Sequence, residues 1–306
     1  MFIRQMTYLV ALGREKHFGR AAEVCNVTQS TLSAGIKALE RELDMRLVIR
    51  DPRFSGFTPE GDRVVDWAAQ IIADYESLRQ DVEVFRSGLK GTLRLGVIPA
   101  AMPQVSRLTA PFCAKHANVT VDIQSITSLE IQRGLDKFEL DAGLTYLENE
   151  PLANVRKLPL YRERYVFITA RSGPRGTSSS ITWREAAAEN LCLLNESMQN
   201  RRVLNNLAAS IGIELKPTVT SNSYLSVCSH VSSGAWASII PNTFAYIFSG
   251  AEELAIIDLV EPVHTQAVGL VCSDRDPLPP LARALMSCAS RLDLDGSISA
   301  GRPIAA

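Results

Sequence analysis

Apolar positions along this chain change period twice. In the first 58 residues they recur at helical spacing in short runs. Residues 3–15 read as a first helix, with Met6, Leu9, Val10 and Gly13 on its inner side. From Phe18 to Leu43 two short helices are predicted, joined by a tight turn. In the second of these, Leu32, Ile36, Leu39 and Leu43 recur at spacings of four, three and four, one buried helical face. Gln29, Ser30, Ser33, Ala34 and Lys37 fall on the opposite face, which is short, amide-bearing and almost uncharged over its first two turns. An ordinary solvated face would mix Glu and Lys. Ala21 and Ala22 permit close helix approach, Asn26 tolerates a left-handed backbone at a helix end, and Thr28 is a good N-cap. Such a face fits the floor of a DNA major groove, where Gln pairs with adenine and Ser with several base edges. An amphipathic helix pair in an all-helical core is the plainer alternative.

Between residues 59 and 86 the period shortens. Thr58 and Pro59 open a helix expected to reach about Arg86. Within it Val64, Ala68, Ile71, Tyr75, Leu78, Val82 and Phe85 alternate spacings of four and three, a 3.5-residue repeat that marks a two-helix seam. Ahead of this helix, Leu47–Arg50 and Gly56–Thr58 read as short strands around a turn at 51–55. Arg50 and Arg53 are there placed to meet phosphate or a minor groove, or to be solvated on a surface hairpin.

The break at Ser87-Gly88-Leu89-Lys90-Gly91 starts a third regime, in which strand-length and helix-length runs alternate. Strands are expected at 92–97, 120–125 and 142–144, helices at 103–116 and at 128–137 with Ser128 as cap. Segments 165–170 and 266–272 are expected to cross between two lobes, with a helix at Pro277 after the second. The alternation implies parallel sheets with helices on both faces. The tail from Gly296 reads as disordered.

The run FGRAAEVCNVTQSTLSAGIKALERELDMRLVIRD resembles the N-terminal winged helix-turn-helix of the LysR-type transcriptional regulators, and the length and order of later segments are similar to that family throughout. The resemblance implies an α/β chain with a winged helix-turn-helix at residues 1–60 and a linker or dimerisation helix at 61–90. A two-lobed, periplasmic-binding-protein-like effector domain then covers 91–306, lobe I being 91–161 with 268–306 and lobe II 162–267. It implies double-stranded DNA contacted by Thr28, Gln29, Ser30, Ser33, Ala34, Lys37, Arg50 and Arg53. The partner copy is another chain of the same kind, dimerised through the linker and assembled further to a homotetramer. RNA polymerase is a further partner on this reading. Ala34 departs from relatives that carry Arg or another long polar residue there.

In open α/β sheets, ligands sit at the carboxyl ends of strands. That rule selects Pro99, Ala100, Ala101 and Met102 after the first strand, and Thr127 and Ser128 after the second. In the other lobe it selects Asn195, Met198, Arg201, Ser221, Asn222, Ser238 and Ile239. By resemblance these loops line the inducer cleft. The helix start at Thr127 and Ser128 suits an anion, so an anionic co-inducer is expected, although Ala100 and Ala101 stand where relatives place a hydroxyl. The same Ser and Thr residues could merely cap helices.

Composition narrows the function further. Of 306 residues, 32 are basic and 33 acidic, so any DNA contact must be local. Residues 1–60 hold nine Lys or Arg against seven Asp or Glu. No apolar run spans a membrane and no signal-peptide pattern opens the chain, which points to the cytoplasm. Cys25, Cys113, Cys192, Cys228, Cys272 and Cys288 form no CxxC pair and read as buried free thiols. A peroxide-sensing thiol would need a cysteine soon after Leu194, and NESMQNRRVLNNLAAS has none. His17, His116, His230 and His264 lack metal-ligand spacing, so no metal and no other cofactor is expected. No nucleophile elbow or P-loop is present, which leaves a ligand-responsive regulator rather than an enzyme. The competing reading is a solute-binding protein whose N-terminal helices serve only oligomerisation.

Overall fold

A computed structural model describes residues 2–51, 53–148, 152–245, 247 and 253–294, with the side chains of Phe2, Arg50, Asp51 and Arg53 outside the description. The expected disordered tail, from Gly296 on, also lies outside it. Packing divides the chain into two units with the break at Lys90 and Gly91.

The first unit opens with α1 (Phe2–Glu15), α2 (Phe18–Val24) and α3 (Gln29–Glu42). Their core joins Tyr8, Leu9 and Leu12 to Ala21, Leu32, Ile36, Leu39 and Leu47. Val10, expected to face inward, is only half-buried, and Tyr8 and Leu12 take that role instead. Asn26 has φ of 52°, the left-handed conformation its side chain tolerates. Gly35 lies against the Tyr8 ring, where an added Cβ would come within 2.6 Å. The absence of a side chain there lets α1 and α3 approach.

Strands β1 (Val48–Asp51) and β2 (Arg53–Phe57) pair antiparallel out to Asp51 and Arg53. The hairpin is therefore tighter than the five-residue turn expected from sequence. Helix α4 (Pro59–Ser87) follows, N-capped by Thr58, whose hydroxyl accepts from Gly61 N–H at 2.9 Å. Val64 and Val65 pack on the first core and Ala68 is buried. Beyond them the apolar seam faces outward: Ile71, Tyr75, Leu78, Val82 and Phe85 are all exposed, Phe85 to 90%.

The second unit begins with β3 (Gly91–Val97), a 3-10 turn at Pro99–Gln104, α5 (Val105–Lys115), β4 (Val119–Ser125), α6 (Ser128–Asp136) and β5 (Ala142–Tyr146). The helix expected from Pro103 thus starts two residues later, behind that turn. Strand β3 pairs in parallel with β4 and β5, as the βαβ alternation requires.

The next strand, β6 (Val155–Ala170), runs 16 residues without interruption. After it come β7 (Ser180–Thr182), α7 (Trp183–Ala188), β8 (Cys192–Leu194), α8 (Gln199–Ser210), β9 (Val219–Ser221), α9 (Tyr224–Ser232), β10 (Ser238–Pro241), α10 (Asn242–Ala245), β11 (Leu254–Val260), β12 (Thr265–Ser273) and α11 (Pro280–Ala289). The first half of β6 pairs with β12 and its second half with β10 and β11, all antiparallel. The sheet is consequently mixed, not parallel throughout. The two crossings fall on β6 and β12, and both strands are longer than the segments expected at 165–170 and 266–272. The second lobe builds its own core from Phe167, Trp183, Leu193, Leu204, Ile239 and Ile257.

Candidate functional site

In the first unit the outward face of α3 has the composition read from sequence. Gln29, Ser30, Ala34 and Lys37 are exposed and Ser33 is half-buried, while Leu32, Ile36 and Leu39 are fully buried behind them. Thr28 caps the helix by accepting from Thr31 N–H at 3.2 Å, and its hydroxyl lies 2.9 Å from that of Ser30. Thr28 is thus partly committed to the helix it starts. His17 does the same for α2, where its Nδ1 accepts from Gly19 and Arg20 N–H.

One contact in this unit has no sequence signal. Glu40 on the inner edge of α3 accepts from the backbone N–H of Leu47 and of Val48, at 3.0 and 3.1 Å. The helix and the first strand of the hairpin are thereby tied by one carboxylate. The side chains of Arg50 and Arg53, expected to meet phosphate from that hairpin, lie outside the described residues.

In the second unit a small cavity opens where β3, β4 and β5 end opposite the start of α8. It is lined by Pro99, Ala100, Thr127, Ser128 and Met198, all expected from sequence, and by Ile98, Tyr146, Leu194, Gln199 and Asn200, which are not among the residues expected. The space open to the centre of a water-sized molecule is about 10 Å³, close to the least that holds one water.

The remaining sequence candidates do not line it. Ala101 is fully buried, Met102 lies in the 3-10 turn, and Ile239 belongs to the second lobe's core. Asn195 closes a turn, its N–H donating to Ser221 O and its Oδ1 accepting from Ser197. Ser221 Oγ accepts from Ser223 N–H, Asn222 is exposed and Ser238 is buried at the start of β10. Buried Arg201 donates to Asn205 Oδ1 at 2.8 Å and to Leu194 O at 2.9 Å. Burial pushes its pKa down from the usual arginine value.

The expected cap of α6 also shifts by one residue. Thr127, not Ser128, receives Glu130 N–H on its hydroxyl, and Glu130 Oε2 in return accepts from Thr127 N–H at 2.8 Å and from its Oγ1 at 2.7 Å. These two bonds hold the Glu130 carboxyl below the usual carboxylate range. A fixed carboxylate therefore stands where an anionic ligand was expected, and like charges disfavour that placement.

Behind the cavity lies a buried polar cluster centred on Glu163 of β6. Tyr146 donates to its Oε1 at 2.5 Å and Thr243 to its Oε2 at 3.2 Å. Asn200 Nδ2 donates to the hydroxyls of Tyr146 and Tyr165, at 2.8 and 3.3 Å. Burial raises the Glu163 pKa to about 8 against the pull of its two hydrogen bonds, so the carboxyl is mainly neutral near pH 7. Burial, and after it the Glu163 charge, pushes Tyr146, Tyr161, Tyr165 and Tyr224 well above the usual phenol range. In the run YRERY, alternation along β6 puts Glu163 on the same face as buried Tyr161 and Tyr165 and opposite Arg162 and Arg164, while its distant partners Tyr146 and Thr243 have no local signal.

The thiols divide. Cys192, Cys228 and Cys272 are buried, Cys25 and Cys288 partly so, and Cys113 is exposed, contrary to the expectation that all are buried. Burial raises the Cys228 thiol to about 12 and raises Cys192 as well. No described helix is long and apolar enough to cross a membrane. Among the described residues no cluster of His, Cys, Asp and Glu could hold a metal ion.

Residues 86–292 match the family model of the LysR substrate binding domain, and residues 3–62 match that of the bacterial regulatory helix-turn-helix protein, lysR family. The chain is 25% identical over 279 residues to the DNA-binding transcriptional dual regulator OxyR of Escherichia coli K12, covering 91% of each chain. It is 28% identical over 310 residues to the nitrogen assimilation regulatory protein nac of Klebsiella aerogenes, covering 96% of this chain and 97% of that one. Among solved structures, a full-length OxyR variant from Pseudomonas aeruginosa superposes with a TM-score of 0.78 at 24% identity, over 97% of both chains. Full-length CbnR complexed with its target DNA superposes with a TM-score of 0.65 at 18% identity, over 95% of this chain and 99% of that one.

Proposed function

Because the chain belongs to the LysR family of transcriptional regulators, a family of DNA-binding proteins and not of enzymes, we propose that it binds a pseudo-palindromic promoter site as a homotetramer of linker-paired dimers and responds to a small molecule held between its lobes. The observation that carries the DNA reading is the outward face of α3. It is exposed, short and nearly uncharged beside a fully buried opposite face, the composition of a surface that reads base edges. Thr28, Gln29, Ser30, Ser33, Ala34 and Lys37 are the contacts on this reading, with Arg50 and Arg53 on phosphate or the minor groove. Ala34 contributes apolar contact with a thymine methyl.

The exposed seam of α4 supports pairing. A stripe from Ile71 to Phe85 left open to water in one chain is the expected appearance of half a coiled coil. Two recognition helices held by such a pair would read half-sites about 34 Å apart. The location consistent with this function is the cytoplasm, with RNA polymerase a further partner.

The cavity supports the effector reading. Ile98, Pro99 and Ala100 belong to the first lobe and Met198, Gln199 and Asn200 to the second, so a ligand there touches both. A ligand that binds one lobe arrangement better shifts the population toward it. Two similar proteins are named as a nitrogen assimilation regulatory protein and a hydrogen peroxide-inducible genes activator. No cysteine occurs between Cys192 and Cys228, and both of those are buried with raised pKa. A thiol switch in that stretch has no residue to act through.

The test is retention of the gene's own upstream DNA on filters at several salt concentrations. Sequence-selective, salt-sensitive retention is the expected result. Retention that ignores sequence would overturn the promoter-site reading.

A further inference from the structure

We propose that the effector is a small uncharged molecule offering hydrogen-bond donors, taken by the side-chain carbonyl oxygens of Gln199 and Asn200. The proposal rests on the reading of the interlobe cavity as the effector site.

Three observations converge on it. First, none of the residues lining the cavity carries a charge. An ion of either sign would leave water for walls made of Ile98, Pro99, Ala100, Leu194 and Met198, without a counter-charge. Second, Gln199 Oε1 and Asn200 Oδ1 are buried without a partner, and both residues are only 5% exposed. Buried polar atoms are paired as a rule, so orphan acceptors on two adjacent residues that line the cavity call for a donor. The Asn200 amide nitrogen faces the tyrosines, 2.8 Å from the Tyr146 hydroxyl and 3.3 Å from that of Tyr165. Its oxygen is thereby turned away from them.

Third, the two features that could hold an anion each have protein partners already. The start of α6 carries the Glu130 carboxylate on Thr127. The nearest cation along α8, Arg201, donates to Asn205 and to the backbone of Leu194. A carboxylate ligand would instead set its oxygens against two carbonyl oxygens. With room for about one water, the cavity takes a larger molecule only as the lobes part.

The isosteric pair acetamide and acetate separates donor from acceptor at constant shape. Saturation-transfer NMR on the full-length protein reads binding of each at equal ionic strength. Transfer to acetamide and none to acetate is the expected result. Gln199→Met keeps the volume and the Asn200–tyrosine bonds, and it should weaken acetamide binding about tenfold. Met198→Trp, which fills the cavity, should abolish it. Binding of acetate but not acetamide, lost in Met198→Trp, would overturn the donor class and leave the cavity as the effector site. Acetamide binding unchanged in both variants would overturn the site as well. No transfer to acetamide at all would overturn the proposal.

Discussion

The hydroxyl of Tyr146 lies 2.5 Å from Oε1 of Glu163, 17 residues away in sequence and on a different strand. Tyr146 lines the cavity, and Glu163 sits where β6 changes from pairing with β12 to pairing with β10 and β11. One hydrogen bond thus joins the ligand's wall to the strand both lobes share. Asn200 extends the same chain from the other lobe.

That pair makes stability depend on pH. The folded protein holds the Glu163 proton up to about pH 8, whereas the unfolded chain loses it near 4.5. A raised acid pKa means the folded state binds more protons within this window, so stability is greatest below it and falls as pH rises through it. The slope from this group alone is roughly 1.4 kcal/mol per pH unit. Glu163→Gln should remove that slope and make the variant more stable than wild type at the upper end. Urea unfolding at about pH 5 and about pH 8 measures both. Parallel slopes in the two proteins would show that the carboxyl is ionised in the folded state.

Glu40→Ala should destabilise the first unit by about 1.5–3 kcal/mol, since it strips a charged acceptor from the N–H groups of Leu47 and Val48. Anchoring of the hairpin would loosen with it, and affinity should drop for every DNA sequence alike. Denaturant titration read beside gel shifts checks the two effects together.

Gly35→Ala puts a Cβ 2.6 Å from the Tyr8 ring. An overpacking cost of about 1–3 kcal/mol is expected. Tyr8→Leu in the same chain should recover part of it, giving a favourable coupling energy in a double-mutant cycle. Simple addition of the two losses would mean that α1 and α3 do not meet at this point.

On the α3 face, Gln29→Ala should cost about 1–3 kcal/mol of discrimination between the operator and a scrambled duplex. Arg50→Ala should weaken both duplexes equally and reduce the salt slope by about 1. Gel shifts at fixed and at varied salt distinguish these signatures. Unchanged discrimination in Gln29→Ala, Ser30→Ala and Ser33→Ala would remove base reading from this helix.

Leu78 and Phe85 are 61% and 90% exposed in the single chain. Leu78→Lys with Phe85→Lys should lower the assembly state seen by sedimentation, while the circular dichroism of each chain is kept. An unaltered sedimentation coefficient would mean that the seam is not where copies join.

What sequence reveals tracks what is local. The faces of α3, the reach of α4 and the strands β3 and β4 are legible because each follows one period over several turns or residues. Strand β6 shows in sequence as residues 165–170 only, because Arg156, Lys157, Arg162, Glu163 and Arg164 break the apolar pattern of its first half. Most of those charges are exposed, yet Glu163 is 2% exposed. Its burial depends on Tyr146 and Thr243, which a linear scan cannot place beside it. Likewise the strand-end rule finds Pro99, Ala100, Thr127 and Ser128, and the same rule applied to the end of β5 would find Tyr146. Gln199 and Asn200 lie just past the first candidates of the second lobe, but an amide with an unpaired oxygen looks the same in sequence as one in water.

Because β6 threads both lobes as one ribbon, with β12 bonded along it from Val155 to Arg164, opening the cavity is a flexing of a laddered beam and not a swing on slack cord. Such a beam returns to one resting shape when the load leaves it. The amides around Glu163 should then stay slow to exchange with deuterium even while the cavity breathes, and the spring constant of the regulator would reside in that short doubled span.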